Sequence, residues 1–313
     1  MTKEQLKEHL LDCGWYATSV NNVLQSKHID WNLSLETWKE TFVGAFLTDK
    51  PNLLHVLDHL CDGMHKNIPE WNDISAQKIK ALKTYLTTKK SANTTKTYLA
   101  YIKSVLNLNA DKVDDNVTRQ LKAATKLHRE PSQHIALTEE EIELIHRYQP
   151  KSKTEADVKR DFLIEAYTGA RNSDAKSLTE RNIDGEYIVY VSQKTKVKTT
   201  VPLHRNLLQY LRQPKSGEHA RKVIIDVMQR ICKAVGIDEM TEMFVAGKTQ
   251  YKPRYEFVGS HTARRSFASQ LAVRGVPVAI IAKFMGHTSA DMTMRYICLE
   301  TDNLSDDIRN FFS

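Results

Sequence analysis

Apolar residues recur every three or four positions along most of this 313-residue chain, and that spacing restricts it to a mainly helical fold. Clear stripes of this kind occupy residues 35–46, 53–60, 79–86, 98–106 and 117–124. Each stripe makes one side of a helix apolar, so we expect these helices to bury that side against one another. The first half of the chain is therefore predicted to be a set of packed helices.

One segment departs from the helical spacing. Residues 187–191 and 199–203 are runs of aromatic and β-branched residues, and the polar stretch SQKTKVK separates them. This pattern predicts a β-hairpin. The rest of the second half is predicted to be helical, with helices across 222–235, 261–274, 277–285 and 303–312. The predicted fold class is mainly α with a small antiparallel β element (α+β).

The stretch HREPSQHIAL at 128–137 reads as a linker because Pro131 lies among polar residues. It suggests three parts. Residues 1–48 form an N-terminal helical extension that begins with a capping box, residues 49–132 form a helical domain, and residues 133–313 form a second domain.

Charge is distributed unevenly. The chain carries a net charge of +7 and has a pI of about 9.0. Residues 1–66 hold six basic and nine acidic side chains, so all of the positive excess lies after residue 66. A basic excess of this size favours a nucleic-acid partner, and its position places any phosphate-tracking surface beyond the first 66 residues.

Cysteine usage and hydropathy indicate the compartment. The four cysteines are scattered without a CxxC pair, which argues against a zinc site and against a disulfide framework. The charged start MTKEQLKEHLLDC is not a signal peptide, and no long apolar run follows it. We expect a cytoplasmic protein with no membrane partner.

The segment TTKKSANTTKTY at 87–98 joins two predicted helices. Hydroxyl, amide and ammonium groups at a helix start are good ligands for DNA phosphates. The candidate contacts are Lys89, Lys90, Asn93, Thr94, Thr95 and Lys96. A solvated turn with a Ser or Asn helix cap explains the same residues, and the sequence does not decide between the two.

Several residues later in the chain suit chemistry on a phosphodiester, where negative charge builds on two non-bridging oxygens. Arg171 follows a Gly turn at a helix start, and Asp174 could orient a basic partner from the same helical side. His261 and Arg264 lie one turn apart on a helix that Ser260 is predicted to cap, so both can reach one anion. Each also has an ordinary structural explanation, as a surface arginine, an ion pair or a chance HxxR.

Two further candidates follow. His287 comes after Gly286, which is predicted to end a helix, and its ring could donate to a phosphate oxygen. Tyr296 lies in the short polar helix ADMTMRYI, where its phenol could attack if a base or cations assist it. A helix-end histidine and a half-buried aromatic are the plain alternatives. Arg265 is set aside because it should point away from Arg264.

The hairpin turn supplies a candidate general acid. Lys194 lies at its start, and Lys196 and Lys198 alternate behind it. A lysine here could protonate a leaving 5′-oxygen, and Lys196 could take that role instead of Lys194. All three could also contact DNA, or could simply be solvated turn residues.

Taken in order, these residues resemble the tyrosine recombinase (phage integrase) family. The resemblance spans residues from about 50 to 300. It rests on the segments ARNSDAKSL (170–178), QKTKVKTTVPL (193–203), HTARRSFASQLAVRG (261–275) and FMGHTSADMTMRY (284–296). The chain departs from the family at Ala263 and Met285, where leucine is frequent, and both are expected to be packing positions.

The resemblance implies a role for each candidate. Arg171 and Arg264 would clamp the scissile phosphate, His287 would hydrogen-bond it, and His261 would exchange the tyrosine proton. Lys194 would be the general acid. Tyr296 would attack to give a 3′-phosphotyrosyl link and a free 5′-hydroxyl.

The resemblance also implies an architecture and a set of partners. A helical core-DNA-binding domain and a catalytic domain would clamp double-stranded DNA without a metal or nucleotide cofactor. The family often assembles as a tetramer through its C-terminal tail, sometimes with accessory DNA-bending proteins. In this chain the tail has apolar residues at helical spacing: Leu304, Ile308, Phe311 and Phe312. It could dock on a neighbouring protomer or fold back on its own domain.

The expected function is site-specific DNA recombination, as in an integrase of a mobile element. Two alternatives stay open: a type IB topoisomerase-like enzyme that only relaxes DNA, and a catalytically idle DNA-binding protein with the same fold. A metal hydrolase built on His261 and His287 is a more distant third.

Overall fold

The computed structural model describes residues 1–126, 132–245 and 247–298, which group into two compact units, Met1–Pro131 and Ser132–Ser313. Residues 128–131 of the predicted linker and the predicted tail helix at 303–312 lie outside the described residues.

The described part of the first unit is helical. Its helices are α1 Lys3–Asp12, α2 Ala17–Val23, α3 Leu35–Glu40, α4 Phe42–Asp49, α5 Leu54–Met64, α6 Ala76–Lys89, α7 Ala92–Leu108 and α8 Asp115–Ala124. Helix α1 begins with the predicted capping box, in which Thr2 and Gln5 satisfy each other's free backbone N–H groups. The predicted apolar stripes fall on these helices.

One hydrophobic core holds the first unit together. Leu6, Trp38 and Phe46 from the first 48 residues are fully buried in the same cluster as Leu57 and Ile102 from later helices. The segment that the sequence sets apart as an extension is thus packed into the core of the helices that follow it. Burial of each such side chain stabilises the unit by about 1.5–3 kcal/mol.

The described part of the second unit contains helices and two small antiparallel sheets. The elements are α9 Glu139–Arg147, α10 Lys153–Thr168, α11 Asn172–Ala175, β1 Ile183–Asp184, β2 Tyr187–Val191, β3 Lys198–Pro202, α12 Leu208–Leu211, α13 Arg221–Ala234, β4 Met240–Val245, β5 Lys248–Pro253, α14 Thr262–Val273, α15 Val278–Phe284 and α16 Ala290–Met294. The fold class is therefore mainly α with antiparallel β elements, as predicted.

The predicted hairpin is confirmed as β2 and β3, which pair antiparallel with Ile188 opposite Val201. Both of these side chains are buried and their neighbours face outwards, as the alternation requires. A short strand, β1, extends this sheet on the other side of β2. The second hairpin, β4 and β5, was not predicted, because β5 is mostly polar and only Met243 among the residues of the two strands is buried.

Helix α10 is the central element of the second unit. It packs against α13 and α14, and nearly all of its residues are buried. It ends at Gly169, whose φ of +67° is the left-handed conformation of a helix cap. A Cβ atom at this glycine would lie 2.5 Å from the Phe267 ring, so no other residue fits here without displacement. This tight turn sets the position of Arg171.

Candidate active site

Arg171 is held by the start of the hairpin turn. It is the first residue before α11, and its Nη1 donates to the Ser192 hydroxyl over 3.0 Å. Ser192 in turn donates to Asp174 over 3.0 Å, and the backbone N–H of Gln193 donates to the other oxygen of the same carboxylate over 2.8 Å. Asp174 is buried and orients Arg171 through Ser192. The sequence predicted that Asp174 orients a base but did not identify Ser192.

The hairpin turn is fixed at a second point. The Thr195 hydroxyl donates to the carbonyl of Gly286 over 3.3 Å, one residue before His287. Gly286 has φ +59°, and a Cβ there would lie 2.8 Å from the Thr199 hydroxyl, which explains why the turn and the hairpin can approach so closely. Lys194 is exposed and lies between the two anchored residues Ser192 and Thr195.

Lys196 and Lys198 are also exposed on this hairpin, and Lys196 adopts a left-handed φ of +57° in the turn. Both remain predicted DNA contacts. The backbone N–H of Lys196 donates to the carbonyl of Ser192 over 2.9 Å, so the turn is fixed at Lys196 as well. Lys194 and Lys196 both remain candidates for the general acid.

Arg264 lies on α14 and is completely buried. Its Nη1 donates to the carbonyl of Gly169, and its Nη2 donates to the carbonyl of Met285 over 2.5 Å and to His287 Nε2 over 2.7 Å. Burial lowers the pKa of this guanidinium, and repulsion from Arg171 adds to the effect. One arginine thus ties together the end of α10, the turn after α15 and the candidate histidine.

The hydrogen bonds of His287 determine its tautomer. A guanidinium only donates, so Nε2 of this ring accepts from Arg264 and Nδ1 carries the hydrogen that is donated to the Thr293 hydroxyl over 2.9 Å. Burial, followed by the charges of Arg264 and Arg171, lowers the pKa of His287 to about 4. The ring is therefore neutral at neutral pH.

His261 lies at the start of α14, but not as predicted. Ser260 does not cap the helix; the cap position is His261 itself, and the Ser260 hydroxyl accepts from Arg221 over 3.1 Å. Desolvation, followed by the charges of Arg265, Arg221, Arg264 and Arg171, lowers the pKa of His261 to about 4. A neutral imidazole at the site can accept a proton.

Tyr296 lies just beyond α16, not inside it. The helix is capped by Ser289 and ends at Met294, and the backbone N–H of Tyr296 donates to the carbonyl of Thr293 over 2.8 Å in the turn that follows. The predicted helix ADMTMRYI is thus shorter than expected. The half-buried ring packs against the core of the second unit.

Two histidines and two arginines lie around the ring of Tyr296. Its centroid is 5.2 Å from the His287 ring and 6.0 Å from the His261 ring. The guanidinium carbon of Arg264 lies 5.4 Å from the same centroid, and that of Arg265 lies 5.8 Å away. The exclusion of Arg265 from the site was therefore wrong: a neighbouring position on a helix still reaches a ring as broad as a phenol.

The candidates in the first unit form a separate group. Ser91 caps α7, as the sequence allowed, by accepting from the backbone N–H of Thr94 over 3.3 Å. Thr95 is 0% exposed, so the prediction that it contacts DNA is wrong. The surface residues of the group, which remain predicted DNA contacts, are Lys89, Lys90, Asn93, Thr94 and Lys96.

Two properties of the described residues bear on the other expectations. No three His, Cys, Asp or Glu side chains in residues 1–126, 132–245 and 247–298 lie together in a way that could hold a metal ion. Within the same residues, no helix is both long enough and apolar enough to cross a membrane.

Comparison with protein families gives a match over much of the second unit. A model described as the phage integrase family matches residues 135–302, which is more than half of the chain. The matched range contains Arg171, Lys194, His261 and Tyr296, together with every other candidate of the cluster.

Individual relatives match over shorter stretches. The integrase of Escherichia phage 186 is 28% identical over 145 residues, which are 45% of this chain and 38% of that protein. The integrase of Escherichia phage P2 is 24% identical over 188 residues, which are 60% of this chain and 50% of that protein. The chain thus spans half or less of the length of these relatives.

Solved structures share the fold. A lambda integrase dimer bound to a COC′ core site aligns with a TM-score of 0.56 at 15% identity, covering 90% of this chain and 94% of that one. A lambda integrase tetramer bound to a Holliday junction gives 0.57 at 15% identity, with 93% and 84% covered. The Tn1549 transposon integrase in complex with a circular intermediate DNA gives 0.57 at 14% identity, with 87% and 99% covered.

Proposed function

Because the chain belongs to the phage integrase family, we propose that it is a site-specific DNA recombinase that cleaves and rejoins DNA through a 3′-phosphotyrosyl intermediate. The observation that carries the proposal is the cluster around Tyr296. A phenol lies within 6.0 Å of two neutral histidines and against two guanidiniums. This arrangement supplies a nucleophile, a proton acceptor and cations for a phosphate in one place.

The chemistry balances with the residues of the cluster. The oxygen of Tyr296 forms a bond to phosphorus as its proton passes to His261, and the bond from phosphorus to the 5′-oxygen breaks. Lys194 gives a proton to that leaving oxygen, with Lys196 as the alternative donor. The reverse sequence rejoins the strand, because the phosphotyrosyl ester conserves the energy of the broken bond.

The phosphate ligands have separate supports. Arg171 is oriented through Ser192 and Asp174, whereas Arg264 is oriented by backbone carbonyls and by His287. Two guanidiniums suit the non-bridging oxygens of the transition state, and fixed donors of this kind stabilise charge strongly in a water-poor site. Arg264 is fully buried, and its guanidinium carbon lies 5.4 Å from the centroid of the Tyr296 ring.

A trapping experiment tests the proposal. The protein is incubated with a tiled set of nicked duplexes taken from the DNA that flanks its coding sequence, since a nick lets the 5′-hydroxyl strand diffuse away. We expect one duplex to give a covalent adduct that survives denaturing electrophoresis and disappears in Tyr296→Phe. Absence of any adduct with the native protein, or an adduct that persists in Tyr296→Phe, would overturn the proposal.

A plasmid bearing two copies of the trapped duplex then separates recombination from the relaxing activity of a topoisomerase. Recombinant circles are the expected product. Relaxation of the plasmid without any recombinant would replace the proposal by the topoisomerase-like alternative.

The proposal includes partners. We infer that the protein acts on double-stranded DNA in the cytoplasm, where it is associated with the nucleoid. It assembles there as a homotetramer through its C-terminal tail, and accessory DNA-bending proteins are further partners. The surroundings of Cys298, the last described residue, support assembly through the tail. The backbone N–H of Cys298 donates to Ser269 over 2.8 Å, beside a cavity of about 250 Å³ lined by Leu137, Val273 and Cys298 itself.

Cys298, the last described residue, therefore lies next to an open cavity that an apolar segment could fill, either from the same chain or from a neighbour. Deletion of residues 303–313 tests this part. We expect the deletion to abolish the tetramer on DNA, measured by light scattering, and to leave adduct formation on a single site in place. An unchanged tetramer and unchanged recombination would refute tail docking.

A further inference from the structure

Arg265 is the second guanidinium against the ring of Tyr296. Its guanidinium carbon lies 5.8 Å from the ring centroid, which is within the range of a cation–π contact. The residue is half-buried, and its Nε is buried without a hydrogen-bond partner in the part of the chain that the structure describes. Desolvation lowers the pKa of this guanidinium, and the nearby Cys298 and Tyr296 oppose that effect.

The two neighbouring arginines are held differently. The terminal nitrogens of Arg264 donate to the carbonyls of Gly169 and Met285 and to His287, so this side chain is built into the backbone of the site. Arg265 instead contacts the site through the Tyr296 ring. Helix stability does not explain why a charged group with an unpaired Nε should be kept in that place, since an exposed arginine would avoid the desolvation.

Arg265 also acts on the proton acceptor. Among the charges that lower the pKa of His261, Arg265 contributes most, ahead of Arg221 on α13, Arg264 on α14 and Arg171 before α11. The Tyr296 ring faces the same imidazole edge-on at 6.0 Å. One side chain thus contacts the group that loses a proton and acts electrostatically on the group that accepts it.

We propose that Arg265 is a positioning residue for the nucleophile, which holds the Tyr296 ring and stabilises the phenolate that forms as the tyrosine proton passes to His261. The inference rests on the proposed recombinase function and deepens it. Arg171 and Arg264 serve the phosphate, and Arg265 serves the tyrosine.

The test measures single-turnover adduct formation with saturating amounts of the nicked duplex that traps the native protein. Arg265→Gln and Arg265→Met both remove the charge, and the unbranched stem of methionine preserves packing if glutamine destabilises the helix. We expect about 10-fold slower adduct formation in either variant, which corresponds to loss of one desolvated cation–π contact. Arg265→Lys keeps the charge and should recover most of the rate.

Arg230→Gln is the matched control. Its side chain lies on α13 and is mostly exposed, and its removal lowers the net charge by the same amount. We expect it to leave the rate of adduct formation unchanged, so that an effect of Arg265 is not ascribed to weaker DNA binding.

The pH profile separates this role from a merely structural one. With the pKa of His261 at about 4, the rate of the native protein should stay level from pH 7.5 down to pH 5.5. Without the charge of Arg265 that pKa rises, while desolvation and the charges of Arg221, Arg264 and Arg171 continue to lower it. The acceptor therefore becomes protonated at a higher pH in the charge-removing variants, and their rate should begin to fall at a higher pH than that of the native protein. Arg265→Lys should restore the level profile.

The outcomes are distinct. If both charge-removing variants match the native rate and pH profile, or are slowed equally at every pH, the inference is overturned, and the Tyr296-dependent adduct still supports the recombinase. If the native protein forms no adduct at all, the proposed function itself fails.

Discussion

The two units of this protein bury different kinds of side chain. In the described part of the first unit, the buried polar residues are His28 and Thr95, and the remainder of the core is apolar. The second unit buries many ionisable groups on several elements: Glu155, Asp157, Lys159, Arg160, Asp161, Glu165, Asp174, Arg254, Arg264 and His287.

This difference separates a unit built for packing from a unit built for chemistry. Burial of an ionised group is costly unless hydrogen bonds and opposite charges compensate it. The second unit compensates, for example by bonding Arg160 to Asp161 and to the carbonyls of Tyr210 and Leu178. In return it holds guanidiniums where water does not screen them, which is where they stabilise a transition state most. Among residues 1–126, no arginine side chain is buried.

The exposed Lys194 offers the strongest challenge to this comparison, since it would be a catalytic charge that is not buried. We expect Lys194→Ala to slow cleavage by about 10²–10⁴-fold, the usual effect of losing a general acid. A substrate with a bridging 5′-sulfur should restore the rate, because a thiolate leaves without a proton. Gel quantification of cleavage measures both effects. Rescue of Lys196→Ala in place of Lys194→Ala would assign the role to Lys196.

In the first unit, loss of apolar packing should be the most damaging change. Phe46→Ala leaves a cavity in a fully buried position and should destabilise that unit by about 3–5 kcal/mol. Denaturant unfolding measures the loss, and Phe46→Leu, which stays apolar and leaves a smaller cavity, is the control. A loss below about 1 kcal/mol would show that the first unit does not depend on its apolar core as the comparison states.

In the second unit, Arg264→Ala should act on rate. Removal of one transition-state donor typically costs about 10²–10³-fold, so we expect adduct formation to fall by that factor. Thermal unfolding of the variant, monitored by circular dichroism, confirms that it is folded at the assay temperature. A folded variant with native rate would remove this arginine from the phosphate clamp.

Glu165 gives the smallest and most specific effect. Burial raises its pKa to about 8, so the folded protein holds a proton there that the unfolded chain releases above its ordinary pKa near 4.5. Because of this group, the folded protein loses stability as the pH rises from about 4.5 through 8. Glu165→Gln keeps the hydrogen bond from Asn172 and cannot ionise. Its gain in melting temperature over the native protein should grow between pH 5 and pH 9; a constant difference would contradict the shift.

Most helices and the first hairpin could be predicted from sequence because their apolar spacing directly encodes which side is buried. The same rule exposes the error at Thr95. This residue lies four positions before Leu99 and seven before Ile102, both buried on α7, so periodicity places it inward despite its hydroxyl. The prediction that Thr95 contacts DNA rested on its hydroxyl group, whereas its burial follows from its position in the helix.

The strands β4 and β5 and the partners of the site could not be predicted in this way. Those strands carry almost no buried side chains, so they leave no alternation to detect. Ser192 and Thr293 are ordinary hydroxyl residues in sequence, and their roles arise only when the chain brings them beside Asp174, Arg171 and His287. The order of the candidate residues was informative because the site depends on few chain segments, but the bonds among them depend on the fold.

The hydrogen bond between Arg264 and His287 has a thermodynamic consequence. While the guanidinium donates to it, Nε2 of the imidazole has no vacancy for a proton. If a bound phosphate accepts the Arg264 N–H in place of His287, the imidazole nitrogen is left facing an anion and becomes basic. Engagement of DNA should therefore be accompanied by proton uptake, and the heat of binding should vary with the ionisation enthalpy of the buffer. Replacement of His287 by glutamine should remove that part of the buffer dependence.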